Sequence, residues 1–420
     1  MADNAAKSIK RSRRFPPMPE LVSMSRRRFA QLFGAGAAVA VARPGVSLSG
    51  TFLGGRELGP ISTTAVVRLN SNENPYGPSP MAIKAMTDAF GLAWRYPDEH
   101  ADLLVETLAK MNGVNQDQIL LGDGSGEILK LCAAAFTGPM SNGNRTLELA
   151  KPTRGGALTF VPGRGKMIVA DPTFEAILNH ARVSGAEIVK VPLTASYGHD
   201  LPKMLSAANE GLIYVCNPNN PTASITPKDE MREFIKQVPR QTMILVDEAY
   251  YHYADSKDYE SVIPMIRNYP NLIVARTFSK IYGMAGLRCG YCVAQHETIQ
   301  RLRPHQTWDS VNIMALTAAI ASLNDVEQVA NGRRLNSETR RYLIGELDAM
   351  GYKHIPTQAN FLMIDLKRPV RPVIDALGQR GVQVGRAFPT LPTHMRVTVG
   401  KKPEMEMFLA AFRQVVSGSA

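Results

Sequence analysis

The sequence predicts an α/β fold built on a mainly parallel sheet with helices on both faces. Short, uninterrupted apolar runs alternate with longer helical stretches through the middle of the chain, which is the pattern of successive βαβ units. Several of these runs end in polar residues, as expected where a doubly wound sheet binds a ligand at the carboxyl ends of its strands. The chain exceeds what one hydrophobic core usually fills, so we expect two domains.

The N-terminal 43 residues differ in character from the rest. Ser25-Arg26-Arg27-Arg28-Phe29 is followed by an uncharged small or apolar run from Leu32 to Ala42. This resembles a twin-arginine export signal, and the run is too short for a bilayer-spanning helix, which needs about 20 residues. We expect residues 1–43 to be a cleavable signal that uses the export machinery and residues 44–67 to be a linker. Cleavage after Ala40 or Ala42 and a start at Met1 or Met24 stay open.

The signal decides the expected location and most of the charge. A functional signal makes the protein periplasmic or exported; without one it is cytoplasmic. The chain carries a net charge of +11, and residues 1–43 contribute nine Lys or Arg against two Asp or Glu, which leaves +4 for the remainder. No basic run follows, so we expect neither nucleic-acid binding nor a stable membrane span.

The cysteines predict no metal site. Cys289 and Cys292 have CxxC spacing, but residues three apart on a strand point to opposite faces, and no second pair completes a zinc site. We expect these two, and Cys132 and Cys216, to be buried free thiols.

The first half of the body contains an arm, a glycine turn and an insertion. Leu69–Pro78 is polar and turn-rich, which predicts an ordered arm, and a helix is expected from Pro80 to Trp94. A strand, the turn Gly122–Gly126 and an apolar helix to Phe136 then place backbone N–H groups at a helix start, a phosphate cradle. Residues 138–166, rich in glycine and proline, predict a long inserted loop whose role the sequence leaves open.

Strands are expected to alternate with helices up to residue 300. The predicted strands are Met167–Ala170, Glu187–Val191, Leu212–Cys216, Met243–Val246, Leu272–Ala275 and Gly290–Ala294, with a helix at Glu175–Ser184. The loop from Thr277 to Arg288 carries Ser279 and Lys280. A lysine between buried strands is partly desolvated, so its amine is free to attack a carbonyl carbon, and the hydroxyls and arginine suit a phosphate dianion.

The remaining third predicts a smaller α/β domain. A helical stretch from Ser310 to Met350 is expected to break near Asn324 or Asp325, and strands are expected at Asn360–Asp365 and Met395–Gly400. Arg396 lies inside an alternating strand, where a half-buried guanidinium requires an anion.

Together these motifs resemble a known family. The pattern T-x-S-K with Arg eight residues after the lysine resembles fold-type I pyridoxal-phosphate enzymes, and more closely the histidinol-phosphate aminotransferases, from about Leu69 to Lys402. The resemblance implies a large domain with a seven-stranded-type, mainly parallel sheet over 68–300 and a small C-terminal domain over 301–420. It also implies pyridoxal 5′-phosphate as the cofactor and a homodimer.

The resemblance assigns roles residue by residue. The catalytic residues would be Lys280, bonded to the cofactor, Asp247 at the ring nitrogen and Tyr250 at the phenolic oxygen. The other cofactor contacts would be Asn220 at the phenolic oxygen, Phe174 stacked on the ring, and Thr277, Ser279, Arg288, Ser125, Gly126 and the other subunit's Tyr96 at the phosphate. The substrate contacts would be Arg396, Asn72, Tyr76 and Asn360.

These roles predict a transaminase of class 2.6.1. It would move an amino group between an amino acid, or a histidinol-phosphate-like amine, and a 2-oxo acid at one site in ping-pong fashion. A decarboxylase or lyase of the same fold, and a non-catalytic cofactor-binding protein, are the alternatives. Donor and acceptor stay open, because Lys401-Lys402 stands where histidinol-phosphate enzymes often have an Arg-Glu pair, and export argues against a histidine-biosynthetic step, which is cytosolic.

Overall fold

The strands of the computed structural model form a large sheet, a small sheet and two short ribbons; the structure describes residues 66–140, 147–148, 159–160 and 163–418. In chain order the strands are β1 (Val67–Leu69), β2 (Ile119–Gly122), β3 (Leu147–Glu148), β4 (Thr159–Phe160), β5 (Lys166–Asp171), β6 (Ile188–Pro192), β7 (Gly211–Cys216), β8 (Thr242–Asp247), β9 (Leu272–Thr277), β10 (Gly290–Val293), β11 (Lys353–His354), β12 (Phe361–Asp365), β13 (Val382–Val384) and β14 (His394–Thr398).

The helices connect these strands and cover the sheets. They are α1 (Pro80–Ala89), α2 (Asp98–Asn112), α3 (Gly124–Phe136), α4 (Ala176–Val183), α5 (Leu201–Ser206), α6 (Lys228–Gln237), α7 (His296–Leu302), α8 (Ile313–Asn324), α9 (Val326–Ala349), α10 (Arg371–Gln379) and α11 (Lys402–Ser417). The predicted break in the long helical stretch is confirmed, and it falls at Asp325, between α8 and α9.

The large sheet confirms the predicted mainly parallel architecture. Its seven strands lie in the order β2-β10-β9-β8-β7-β5-β6, and β10 is antiparallel to both of its neighbours while the pairs from β9 to β6 are parallel. Every residue of β7, β8 and β9 is buried, and alternate residues join two different cores, one on each face. Burial on both faces is why these strands are continuous apolar runs.

The C-terminal part builds a second, smaller sheet with its own core. Strands β11, β12 and β14 form an antiparallel sheet. Side chains from β12 and β14, such as Leu362 and Val397, pack with Leu343 of α9 and Phe408 of α11. Strand β1 pairs in parallel with β13, so the start of the arm joins this part of the protein.

Several predicted boundaries differ from the structure by a few residues. Helix α1 ends at Ala89, five residues early, and Phe90–Leu92 tightens into a 3₁₀ turn; the strand expected to reach Gly400 ends at Thr398. Val67, predicted as the end of the linker, already pairs in β1. Apolar periodicity cannot show where backbone hydrogen bonding stops, so ends are the weakest part of such predictions.

The insertion is described only in part. Strands β3 and β4 pair as a short antiparallel ribbon, and Gly138 bridges Gly165 at the base of the predicted loop. The rest of this loop, the export signal and residues 44–65 of the linker lie outside the described residues.

The four cysteines are buried with free thiols. Within the described residues, no cluster of three or more His, Cys, Asp or Glu side chains could hold a metal ion. No helix in that part of the chain combines the length and apolarity needed to cross a membrane.

Candidate active site

A cavity of about 420 Å³ lies where β7, β8 and β9 end. It gathers twelve of the fifteen predicted site residues, which come from the arm, the α3 start, the ends of β5, β7, β8 and β9, the loop after β9, and β14. Its lining residues are Ser71, Asn72, Ser125, Gly126, Phe174, Ala176, Cys216, Asn220, Asp247, Ala249, Tyr250, Thr277, Ser279, Lys280, Ala285, Arg288 and Arg396. The carboxyl ends of parallel strands therefore hold the site, as the sequence predicts.

Lys280 enters the cavity from the loop after β9. Its Nζ donates hydrogen bonds to the carbonyl oxygens of Asn72, at 3.0 Å, and Ser71, at 3.4 Å. Burial, together with the positive charges of Arg396 and Arg288, lowers the pKa of Lys280 to about 8, and the carboxylates of Glu73 and Asp247 oppose the shift. A substantial fraction of the amine is therefore unprotonated at slightly alkaline pH, as a nucleophile or base requires.

Asp247 forms the floor of the cavity at the end of β8. Its Oδ2 accepts a hydrogen bond of 2.9 Å from the Tyr214 hydroxyl, and its Oδ1 accepts one of 3.1 Å from the Ala249 N–H. Burial raises the pKa of Asp247 to about 6, although both hydrogen bonds and Lys280 oppose the rise. A carboxylate held in this way suits a protonated ring nitrogen.

Tyr250 presents its hydroxyl to the cavity between two amides. Asn72 Nδ2 donates to it at 3.2 Å and Asn220 Nδ2 at 3.4 Å. Burial raises the pKa of Tyr250 well above its usual value, so the hydroxyl keeps its proton and can itself donate. Asn220 and Tyr250 thus lie side by side, where a phenolic oxygen would receive bonds from both.

One group of cavity residues suits an anion. Thr277 Oγ1 and Ser279 Oγ lie 2.9 Å apart, and Arg288 Nη1 donates to Ser279 Oγ at 3.4 Å. Helix α3 begins at Gly124, where a Cβ atom would lie only 2.2 Å from Arg288 Nη2. Hydroxyls, a guanidinium and a helix N-terminus at one place suit a phosphate group.

Arg396 extends from β14 into the cavity. Its Nη1 donates to Asn220 Oδ1 at 2.8 Å and its Nη2 to the Asn70 carbonyl at 2.6 Å, while its Nε is buried without a hydrogen-bond partner. Burial lowers the pKa of this guanidinium from its usual value, with the charge of Arg386 adding to the effect. Arg396 is therefore half-buried and lines the cavity, and its assigned contact with the acidic group of a substrate stays a prediction.

Three predicted site residues do not line the cavity. Asn360 is buried behind the arm, where its Nδ2 donates to the carbonyl oxygens of Asn72, at 3.1 Å, and Glu73, at 3.2 Å. Tyr76 is 40% exposed, with the Lys401 ammonium 5.5 Å from its ring centre, and Tyr96 is 82% exposed on the surface. In a single chain Asn360 therefore holds the arm, and the assigned roles of Tyr76 and Tyr96 stay predictions.

Sequence reasoning missed several contributors. Ser71 and Cys216 line the cavity, and Tyr214 holds Asp247 from behind. Tyr214 and Cys216 lie in the same buried run, and Cys216 stands opposite Asp247 in the register of β7 and β8. Once that pairing is known, the two-residue period places Tyr214 on the same face as Cys216, but the pairing cannot be read from the run alone.

The residues present fit pyridoxal phosphate. An amine of lowered pKa faces the cavity, a carboxylate lies at its floor, two hydrogen-bonding groups meet at one point, and hydroxyls with a guanidinium form a phosphate cradle. These match, respectively, the cofactor's aldehyde, ring nitrogen, phenolic oxygen and phosphate.

Comparisons with known proteins agree with this fit. Residues 64–412 match the family "Aminotransferase class I and II". Histidinol-phosphate aminotransferases from Moorella thermoacetica and Symbiobacterium thermophilum are each 38% identical to the chain; the matches cover 86% and 83% of this chain and 88% and 90% of theirs. The crystal structure of histidinol-phosphate aminotransferase from Sinorhizobium meliloti, in complex with pyridoxal 5′-phosphate, aligns with a TM-score of 0.72 at 26% identity, covering 84% of this chain and 92% of that one.

The family match spans both sheets and the cavity residues from the arm to Arg396. The chain therefore belongs to the class I and II aminotransferases and is a pyridoxal-phosphate-dependent aminotransferase of the fold-type I architecture.

Proposed function

We propose that the amino donor is an amine that carries an acidic group, with histidinol phosphate as the first candidate, and that the acceptor is a 2-oxo acid. The observation that carries this proposal is the state of Arg396. The hydrogen bonds of its guanidinium go only to neutral oxygens, its Nε has no hydrogen-bond partner, and its other neighbours include the rings of Phe361 and Phe388. A buried cation in that state favours an anionic ligand.

The name of the relatives supports the choice of donor. Enzymes 34–38% identical to this chain are called histidinol-phosphate aminotransferases. Both a phosphate and a carboxylate accept charge-assisted hydrogen bonds from an arginine. An acidic amino acid such as glutamate could therefore bind at Arg396 as the second substrate of the ping-pong cycle.

The residues of the chain divide the work as follows. Pyridoxal phosphate, when bound, supplies an aldehyde that combines with amines and a ring that takes up the electrons left when Cα loses its proton. Lys280 in its unprotonated form is placed to take that proton from Cα and to return it. Asp247 holds a proton on the ring nitrogen, and Asn220 and Tyr250 fix the phenolic oxygen.

Arg396 orients the substrate at the other side of the cavity. An acidic group bound there fixes the distance between the substrate amine and Lys280. The two groups then react within one complex rather than after a random encounter, which lowers the entropic part of the barrier. Donor and acceptor would use the same cavity in turn, because the described residues bring together one lysine and one set of ring contacts.

We also propose that two chains form a homodimer in which Tyr96 of one chain contacts the phosphate of the cofactor bound to the other chain. The support is a group of large side chains that lie open on one chain: Phe90, Trp94, Tyr96 and Trp308 are 67–82% exposed. Aromatic residues at this exposure are typical of protein interfaces. Light scattering of the purified protein tests the dimer, and Tyr96→Phe should weaken cofactor binding without unfolding the chain.

Export by the twin-arginine route is a separate proposal, and it favours an acidic amino acid such as glutamate over histidinol phosphate as the donor, because the phosphorylated intermediate is made in the cytosol. It rests on Arg26-Arg27 and the apolar run after them. Fractionation of cells expressing the full chain and an Arg26→Lys, Arg27→Lys variant tests it. Export predicts a shortened periplasmic form in the first case and retention in the second.

A spectral titration tests the reaction itself. The purified holoenzyme is mixed in turn with histidinol phosphate, glutamate and histidinol, and the cofactor band is followed before and after a 2-oxo acid is added. Histidinol has the amine and the ring of histidinol phosphate but no acidic group, so both acidic donors should bleach the band at lower concentration than histidinol. Equal response to all three would contradict the proposed role of Arg396.

A further inference from the structure

A buried ionic cluster lies directly behind the cavity, on the other face of the large sheet. Glu248 and Arg276 are 1% and 8% exposed, and Arg276 Nε and Nη2 both donate to Glu248 Oε2, at 3.0 and 2.8 Å. The Tyr251 ring lies under the same guanidinium, 3.7 Å from Cζ. None of the three lines the cavity.

The cluster has no unfilled position for a ligand. Arg276 also donates to Ser261 Oγ at 2.8 Å and to Asn112 Oδ1 at 3.1 Å. The Glu248 carboxylate also accepts from the Val262 N–H and the Ser261 hydroxyl, each at 2.9 Å. A buried polar network whose members are all hydrogen-bonded is rigid, and it restricts the motion of the backbone to which its side chains are attached.

Each member of the cluster is the chain neighbour of a residue that faces the cofactor site. Glu248 follows Asp247, Arg276 precedes Thr277, and Tyr251 follows Tyr250. The neighbours Asp247, Thr277 and Tyr250 are all cavity residues. One ion pair thus ties together the backbone behind the groups assigned to the ring nitrogen, the phosphate and the phenolic oxygen.

The ion pair also controls charge next to Asp247. Asp247 is faced by Tyr214 and Cys216 from β7, by Lys280 from the loop after β9, and by Tyr250. Glu248, the next residue along the chain, acts on it by charge from the other face of the sheet. Glu248 is the other carboxylate of this set. Left unpaired, a second buried negative charge would oppose ionisation of Asp247.

We propose that Arg276 is a positioning residue for the transaminase reaction, which through its ion pair with Glu248 keeps Asp247 ionised and in place against the cofactor ring. The proposal rests on the cofactor that the family match establishes and is independent of the proposed donor. It assigns no contact between Arg276 and substrate or cofactor.

The test measures cofactor affinity rather than turnover. The dissociation constant of pyridoxal phosphate for the cofactor-free protein is determined by equilibrium dialysis across pH 5–9 for wild type, Arg276→Met, Glu248→Gln and the double variant. The midpoint is the pH at which the change of the dissociation constant with pH is half complete. The cofactor's own phosphate titrates alike with all four proteins, so differences in this midpoint between variants report on the protein.

Charge near Asp247 predicts shifts of opposite sign. Arg276→Met leaves the Glu248 carboxylate without its ion-pair partner, and this negative charge should raise the pKa of Asp247. The midpoint should therefore move up by about one pH unit, and the dissociation constant below the midpoint should rise about tenfold. Glu248→Gln leaves Arg276 unpaired and should move the midpoint down. The double variant, which removes both charges, should return the midpoint to that of wild type.

Two further variants separate positioning from general stability. Arg340 is also a buried arginine in an ion pair, with Asp255 at 2.7 Å, so Arg340→Met should lower the melting temperature without moving the midpoint. Arg276→Lys keeps the charge and should keep the midpoint if Arg276→Met does not fold. Midpoints that stay at the wild-type value in every variant, or a double variant that matches Arg276→Met, would overturn the proposal.

Discussion

Tyr214 and Asp247 lie on neighbouring parallel strands and share a hydrogen bond of 2.9 Å below the cavity. The tyrosine is fully buried, and its hydroxyl is the one side-chain donor to Asp247 among the described residues. The carboxylate is therefore held by a residue that does not touch the cavity. Removing this donor is a test of how the floor of the site is built.

Tyr214→Phe should weaken the binding of pyridoxal phosphate. A hydrogen bond to a charged group contributes about 1.5–3 kcal/mol, and each 1.4 kcal/mol is a factor of ten, so a loss of roughly 10- to 100-fold in affinity is expected at neutral pH. The pKa of Asp247, already raised to about 6 by burial, would rise further. The deficit should therefore be larger at pH 6 than at pH 8, as measured by dialysis; an equal deficit at both would contradict this.

Lys280 should react as an unusually acidic ammonium. Because burial lowers its pKa to about 8, modification of the cofactor-free protein by an amine-specific reagent, followed by peptide mass spectrometry, should reach half its maximal rate near pH 8. Exposed lysines with the usual value of about 10.4 serve as internal references. A half-maximal rate near pH 10 for Lys280 would show that the amine is not desolvated.

The same shift fixes the sign of a stability effect. The folded-state pKa of Lys280 lies below its ordinary value of 10.5, so the unfolded chain binds more protons between about pH 8 and 10.5. The contribution of this residue to the stability of the cofactor-free protein should therefore grow as pH rises through that window. Comparison with Lys280→Met, in urea unfolding at pH 8 and 10, isolates it from the other titrating groups.

Arg396→Met should reduce activity towards donors with an acidic group. Loss of charge-assisted hydrogen bonds should lower kcat/KM by about 10- to 100-fold, mostly through KM. Affinity for pyridoxal phosphate should change little, although Asn220 loses a neighbour. Arg396→Lys keeps the positive charge but lacks the planar guanidinium, so its kcat/KM should fall between those of wild type and Arg396→Met. A change confined to kcat would show that Arg396 does not act by binding the donor.

Gly124→Ala should damage the phosphate end of the cavity. The new Cβ would lie 2.2 Å from Arg288 Nη2, and Gly124 has a φ of +71°. Gly113 has a similar φ of +64° but nothing within 4 Å of an added Cβ, so Gly113→Ala carries only the backbone strain of roughly 1–2 kcal/mol. Both variants should lose stability, but only Gly124→Ala should lose affinity for pyridoxal phosphate, as shown by dialysis.

The sequence predicts the large sheet well because its strands are buried on both faces. Runs such as Leu212–Cys216 and Met243–Val246 have no helical period and end at Asn217 and Asp247, so both the strand and the site residue after it can be identified. Their hydrogen bonding extends one residue further, to Gly211 and Thr242, because a ladder can include residues that do not continue the apolar run.

The pairing of β1 with β13 is not predictable from the sequence. Each strand has three residues, too few for a period to show, and they are separated by more than three hundred positions. The Glu248–Arg276 cluster escapes prediction for a related reason, since neither residue differs in the sequence from a charged residue at a strand end. Both depend on partners that only the folded chain brings together.

The arm has a consequence for the order in which the protein is completed. Asn70 and Asn72, near the start of the described chain, contact Arg396 and Thr398, and β1 needs β13 as its partner. A ribosome must therefore release nearly all of the chain before the cavity can close around Lys280. Nascent chains that stop before residue 380 should form the large sheet but leave Lys280 open to solvent, because the arm cannot dock until β13 and β14 have been made.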